Sequence, residues 1–325
     1  MALLEVDHLV VRLRTARGMA EAVRGIDFTL GKGETLGLIG ESGSGKSMTA
    51  LALLGLLPEG AEMSGHIRLD GRDLVGLPES ELCEVRGNRI AIVFQEPMTA
   101  LNPVHTVGHQ VAEALTVHGR MTRGAARTEA LRLLDRVGLP DAARRIDAYP
   151  HQLSGGQRQR VTIAMALACG PDILIADEPT TALDVTIQGQ ILDLIGELVA
   201  ESRMALILIS HDLGVIAENV DRMMVMYGGT VVESGPTAEV FRRMAHPYTQ
   251  GLFGARPKLG AVRGTPLTTI PGTVPELSDM PKGCPFAGRC PLTADACRAA
   301  PPAPQMVGRD HLARCIRIDA ALEQA

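Results

Sequence analysis

The 325-residue sequence predicts an α/β fold, a largely parallel sheet flanked by helices, with an inserted helical subdomain and a loop-rich C-terminal appendage. Three observations predict it. Short apolar runs alternate with helix-like stretches, the pattern of strands and helices in one layered core. Between Phe94 and Ile173 the strand alternation is interrupted by a predominantly helical segment. After about Gly254 periodic helix patterns become scarce, and ten of the twenty prolines fall between Pro257 and Pro304.

The runs Thr35 to Ile39, Arg89 to Phe94, Ile173 to Ala176 and Ala205 to Ile209 are apolar, β-branched and closed by polar or glycine-rich turns, which predicts buried strands. Helices are expected at Lys46 to Leu57, Val107 to His118, Ala125 to Val137, Gln157 to Ala168 and Val185 to Glu201. The expected division is a main domain over 1–254, with its helical subdomain at about 96–160, followed by the appendage over 255–325.

Bulk composition excludes several classes. A net charge of −5 and a pI near 6.0 give no basic footprint, so no nucleic-acid partner is expected. Apolar residues make up 46% of the chain, yet no uninterrupted run reaches the roughly 18 residues that cross a bilayer. The start, Met1 to His8, has early carboxylates and no basic segment leading into an apolar core, so a cytoplasmic location is expected. Aromatics are 2% with no Trp, too few for a stacking platform.

The strongest motif is Gly40-Glu41-Ser42-Gly43-Ser44-Gly45-Lys46-Ser47, a G-x-x-x-x-G-K-[ST] loop between a predicted strand and a predicted helix. Its backbone N–H groups and the positive end of the helix suit a phosphate. Lys46 is expected on the β/γ-phosphates of a nucleotide, and Ser47 is expected to offer its hydroxyl to Mg²⁺. The run Ile173-Leu174-Ile175-Ala176-Asp177-Glu178 delivers two carboxylates to a strand end, where ligands of open α/β sheets sit. Asp177 is the expected Mg²⁺ partner and Glu178 the residue that orients and polarises water. Read alone, the pair is as often a helix-capping turn; the phosphate loop weighs against that reading.

Leu153-Ser154-Gly155-Gly156-Gln157 opens the helix that precedes Ile173. Here the sequence resembles the ABC ATPase family, whose signature is LSGGQ at this position. The resemblance implies ATP and Mg²⁺ as ligands, and a signature (Ser154, Gly155, Gly156, Gln157) that closes over the γ-phosphate held by a second ATPase subunit. It further implies that Gln95 senses Mg²⁺ and water, that Thr181-Ala182-Leu183-Asp184 crosses a dimer interface, and that His211 contacts the γ-phosphate. One departure is that the aromatic expected to stack on adenine is replaced by Leu13.

The segments Phe94 to Pro103, Asp177 to Leu192 and His246 to Leu252, with Pro271 to Pro275, resemble the ATPase subunits of oligopeptide, dipeptide and nickel permeases. The resemblance covers essentially the whole chain. It implies a second ATPase subunit as heterodimer or homodimer partner, two membrane permease subunits, an extracytoplasmic binding protein indirectly, and a peripheral place on the cytoplasmic face of a bacterial or archaeal cell membrane.

Cys284, Cys290, Cys297 and Cys315 are spaced C-x5-C-x6-C-x17-C. Four thiolates can ligate Zn²⁺ or hold an iron–sulfur cluster, while the C-x2-C pairs of zinc ribbons are missing and disulfides are disfavoured in a reducing cytoplasm. The resembled branch implies a [4Fe-4S] cluster, with Zn²⁺ or free or paired thiols as alternatives; losing any one of these Cys is expected to loosen the appendage and leave the phosphate-loop chemistry largely intact. A cassette working in DNA repair or translation would carry a long heptad insert or a tandem cassette, and a non-hydrolytic module would not need Glu178 and His211. The transported solute, peptide or nickel, is not legible.

Overall fold

The computed structural model describes residues 2–119, 121–181, 183–255 and 269–323. Ala182 and Pro257 lie outside them. The chain divides into two compact units: Met1–Leu3, Leu30–Thr35 and Gly76–Ile209 form one, and Leu4–Thr29, Leu36–Val75 and Ser210–Ala325 the other.

In the first unit three parallel strands, Ile90–Val93, Ile173–Asp177 and Ala205–Ser210, pair in that order, with Ile90 opposite Ile173 and Asp177 opposite Ile209. The central strand is buried along its whole length, which is why it reads as an unbroken apolar run. Helices Val107–Val117, Arg123–Arg136 and Gly155–Leu167 pack together, and Val107, Val111, Ala130, Leu134 and Val161 on them are buried. Thr122 caps the second of these by accepting a hydrogen bond from Ala125 N, so that helix starts two residues before the expected Ala125. Buried Gln110 fixes the preceding loop: its amide donates to the Asn102 and His105 carbonyls and its oxygen accepts from Asn102 N.

The second unit holds two sets of strands. One is an antiparallel sheet ordered Gly18–Leu30, Leu4–Thr15, Glu62–Leu69, Arg72–Asp73. The sequence reading of a largely parallel core did not contain it. In the other set Thr35–Ile39 runs parallel to Arg222–Tyr227, which continues antiparallel into Thr230–Pro236, His311–Ala313 and Gln305–Gly308. The C-terminal appendage is therefore not only loop; it adds two strands to this unit. Fully buried Glu233 ties them in, accepting from Ala245 N and His246 N and sharing a 2.8 Å contact with His311 Nε2.

Helix Lys46–Leu53 ends four residues earlier than the sequence pattern suggests, because Gly55 takes a left-handed turn at φ 61° just beyond it. Among the described residues no helix is long and apolar enough to cross a membrane.

Candidate nucleotide site

The phosphate loop leaves strand Thr35–Ile39 in a shape that two glycines make possible. A Cβ on Gly40 would lie 2.2 Å from the Met226 carbonyl oxygen. Gly45, at φ 103°, caps helix Lys46–Leu53, and a Cβ there would lie 2.8 Å from Ala22 O. The loop is braced by hydrogen bonds from Ser44 N to Glu41 O and from Gly229 N to Ser44 O. Lys46 is 6% exposed, and its Nζ donates to the carbonyls of Gly40 (2.8 Å) and Glu41 (3.1 Å). Ser44 Oγ is buried without a hydrogen-bond partner among the described residues. Gly43 and Ser42 complete the turn, and Ser47 lies exposed in the first turn of the helix. A cradle that excludes side chains, with a buried cation and an unsatisfied hydroxyl, fits an anion such as a polyphosphate. The Ser47 hydroxyl in the second unit and the Asp177 carboxylate in the first are each oxygen donors of the hard kind that Mg²⁺ takes.

In the first unit, Asp177 ends the buried central strand and is 6% exposed. Glu178 follows in the left-handed region at φ 46°, a conformation that costs a non-glycine residue about 1 kcal/mol. Its N–H donates to Ile209 O. Its Oε2 accepts from Gln95 Nε2 and from Thr181 Oγ1, both at 3.0 Å. Gln95 and Glu178, 83 positions apart, are thus brought into direct contact. Thr181 is a partner that the sequence reading placed only in the dimer-interface segment.

The signature is a reciprocal cap. Ser154 Oγ accepts from Gln157 N at 3.3 Å, and Gln157 Oε1 accepts from Ser154 N at 3.1 Å. A Cβ on Gly156 would sit 2.8 Å from Ile187 Cγ2, and one on Gly155 would sit 3.3 Å from Leu183 Cδ2. The signature therefore packs against the segment carrying Asp184, which caps helix Val185–Ser202 by accepting from Ile187 N. In the second unit, His211 is exposed directly after strand Ala205–Ser210, and Leu13 is half-buried in strand Leu4–Thr15.

The four C-terminal cysteines line one cavity, together with His246 and Phe286. All are free thiols. Each sulfur accepts a backbone hydrogen bond: Cys284 from Phe286, Cys290 from Leu292, Cys297 from Ala294 N at 3.5 Å and Cys315 from Arg317 N at 3.2 Å. Burial pushes the Cys284 thiol up to about 11 and raises Cys290 and Cys315 as well, the neighbouring thiols adding to each shift. Among the described residues no three His, Cys, Asp or Glu side chains stand where they could hold a metal ion together. The expected centre thus appears as gathered thiols, not as a formed metal cage.

Sequence reasoning missed Arg289, one residue before Cys290. Its guanidinium forks onto Glu41 of the phosphate loop, Nη1 to Oε2 at 2.6 Å and Nη2 to Oε1 at 3.1 Å. A residue of the appendage therefore touches that loop. No local pattern signals a partner 248 positions away.

Residues 23–181 match the family described as ABC transporter, and residues 232–297 match the oligopeptide/dipeptide transporter C-terminal region. The chain is 50% identical to the oligopeptide transport ATP-binding protein OppD of Salmonella typhimurium, covering 92% of this chain and 89% of that protein. It is 48% identical to the dipeptide transport ATP-binding protein DppD of Bacillus subtilis, covering 99% and 96%. A solved dimeric ATP-binding cassette in a post-hydrolysis state, bound to ADP and phosphate, superposes with a TM-score of 0.64 at 29% identity over 72% of this chain and 98% of that one.

Proposed function

The chain belongs to the ABC transporter ATPase family, and from that premise we propose that it drives the uptake of peptides, or of a related small solute such as nickel, by hydrolysing ATP beneath two membrane permeases. The observation that carries the hydrolytic reading is the Glu178 carboxylate, fixed by Gln95 and Thr181 at the end of a buried strand. The peptide-import reading draws on the similarity to oligopeptide and dipeptide transport subunits, which extends through the C-terminal region. A cassette of DNA repair or translation has no such support.

In this reading the loop from Gly40 to Ser47 seats the phosphates on its backbone N–H groups, and Lys46 redirects its ammonium from the Gly40 and Glu41 carbonyls to the β/γ-phosphates. Ser47 and Asp177 would supply oxygen donors to Mg²⁺ and Gln95 would sense it, and the ion, when bound, would offset charge on the phosphate oxygens. Glu178 orients and polarises the attacking water, and His211 donates to the γ-phosphate. Ser154, Gly155, Gly156 and Gln157 act on the γ-phosphate of a second ATPase subunit, with Asp184 at that interface. Residues 255–325 form an accessory extension of the cassette in 1–254, whose helical part at about 96–160 meets the permeases. The complex sits on the cytoplasmic face of the cell membrane and receives solute from an extracytoplasmic binding protein.

Proteoliposomes holding this chain, its partner ATPase and both permeases should accumulate labelled dipeptide when ATP and the loaded binding protein are supplied. ATP turnover indifferent to every peptide and to nickel, with no uptake, would overturn the import assignment.

The cysteine cavity offers four sulfur donors, each already hydrogen-bonded by backbone N–H as metal-bound thiolates commonly are. That donor set fits a [4Fe-4S] cluster, or Zn²⁺ as the alternative, once the thiols deprotonate and close in. Anaerobically purified protein should contain about four irons and four sulfides per chain, and Cys315→Ser should lose them. Stoichiometric zinc without iron would sink the cluster and keep the metal site. Absence of all metal would sink both.

A further inference from the structure

The contact between Arg289 and Glu41 places a residue of the C-terminal extension on the phosphate loop itself. The Arg289 side chain is 6% exposed, and all of its guanidinium nitrogens are engaged. Beyond Glu41, its Nε donates to Pro271 O at 2.8 Å, and its Nη2 donates to the carbonyls of Ile270 (3.4 Å) and Gly272 (3.2 Å). Its Nη1 also reaches Tyr227 Oη at 3.4 Å, and the guanidinium carbon lies 5.8 Å from the centre of that ring. The fork is therefore clamped from the extension side and presents two parallel bonds to one carboxylate, the geometry in which Arg cannot be replaced by a point charge.

Glu41 is held from two further directions. Its N–H donates to Tyr248 Oη at 2.8 Å, and its carbonyl accepts from Lys46 Nζ. Tyr248 is itself fixed in an edge-packed cluster with Tyr227 and Phe286, at ring separations of 4.7 and 5.3 Å. Phe286 lies between Cys284 and Arg289 in sequence, so one short stretch of the extension supplies both the guanidinium and the aromatic support. The carbonyl of Glu41 shapes where the Lys46 ammonium rests, and its carboxylate sits on the loop that receives the triphosphate. An uncompensated carboxylate there opposes a polyanion. The Glu41 carboxylate in turn holds the Arg289 guanidinium firmly charged, raising its pKa.

We propose that Arg289 is a positioning residue of the nucleotide site: by neutralising and orienting Glu41 it sets the affinity of the phosphate loop for ATP, and so makes the C-terminal extension part of that site. The proposal rests on the reading of Gly40 to Ser47 as the nucleotide loop.

A double-mutant cycle on the full chain tests it, with titration by a fluorescent ATP analogue and turnover measured over a range of ATP. Arg289→Met should raise the ATP dissociation constant and KM about tenfold, the loss of one charge-assisted pair, while kcat at saturating ATP changes less than about twofold. Arg289→Lys, which keeps the charge and loses the fork, should recover part of the affinity. In a Glu41→Gln background the Arg289→Met change should add nothing, since no carboxylate remains to neutralise. An affinity unaltered by Arg289→Met, or lowered by the same factor with and without Glu41, overturns the proposal, because a merely structural role would not depend on the partner charge. Should Arg289→Met fail to fold, the same cycle is read with Arg289→Lys. A wild-type chain that binds ATP, beside Arg289 variants that bind it equally well, defeats this inference alone; a wild-type chain that binds no ATP defeats the nucleotide reading and this inference with it.

Discussion

Replacing Glu178 by Gln is expected to lower ATP turnover by about a hundredfold or more, the usual worth of a general base, while Mg–ATP binding stays near that of the wild type. The substitution preserves shape. Gln keeps a carbonyl oxygen where Oε2 now accepts from Gln95 Nε2 and Thr181 Oγ1, and it inherits the same left-handed backbone at φ 46°. Only the basicity is removed, so bound ATP persists and a closed, ATP-bound dimer should accumulate on size exclusion. Single-turnover hydrolysis and nucleotide titration on the same preparation separate the two effects. Undiminished turnover would remove Glu178 from the reaction.

Lys46→Ala should act one step earlier. The ammonium is almost fully buried and rests on the carbonyls of Gly40 and Glu41, so it is already desolvated before it meets any phosphate. A charge-assisted contact of this kind contributes about 1.5–3 kcal/mol, which corresponds to a loss of roughly ten- to a hundredfold in ATP affinity. The loop gives up the two lysine bonds to Gly40 O and Glu41 O but keeps its glycine-dictated path, because Met226 O and Ala22 O still crowd positions 40 and 45 and the Ser44–Glu41 and Gly229–Ser44 backbone bonds remain. Calorimetric titration should show weak binding with little change in thermal unfolding. Retained affinity would contradict the role given to the loop.

Much of this was legible in the sequence because it is local. The strand Thr35–Ile39 emerges at its exact bounds, and Asp177 ends a strand with Glu178 directly after it, as the apolar run before them requires. The signature begins its helix at Gly155, two residues before the expected Gln157, because the reciprocal cap lets both glycines take helical geometry. What local pattern cannot carry is partnership over distance. The antiparallel sheet depends on the pairing of Leu4–Thr15 with Glu62–Leu69, interrupted by an irregularity between Asp7 and Val10. Its strands mix half-buried, charged and glycine positions, which blurs a period of two. Arg289 reads as one more charged residue in a proline-rich tail, and only the fold discloses that its partner is on the phosphate loop.

The parallel pairing of Thr35–Ile39 with Arg222–Tyr227 also orders events during synthesis on the ribosome. Every residue from Gly40 to Ser47 is made within the first 47 positions, yet the neighbouring strand, the Met226 carbonyl that dictates glycine at 40 and the Gly229 amide that braces Ser44 are made some 180 residues later. At about 5–20 residues per second, the nascent loop waits on the order of 10–40 seconds for its scaffold. A message truncated before residue 222 would encode the complete phosphate-binding motif and still yield a loop without the strand that shapes it. The capacity to bind ATP thus depends on chain made as late as Gly229, not on the short motif alone.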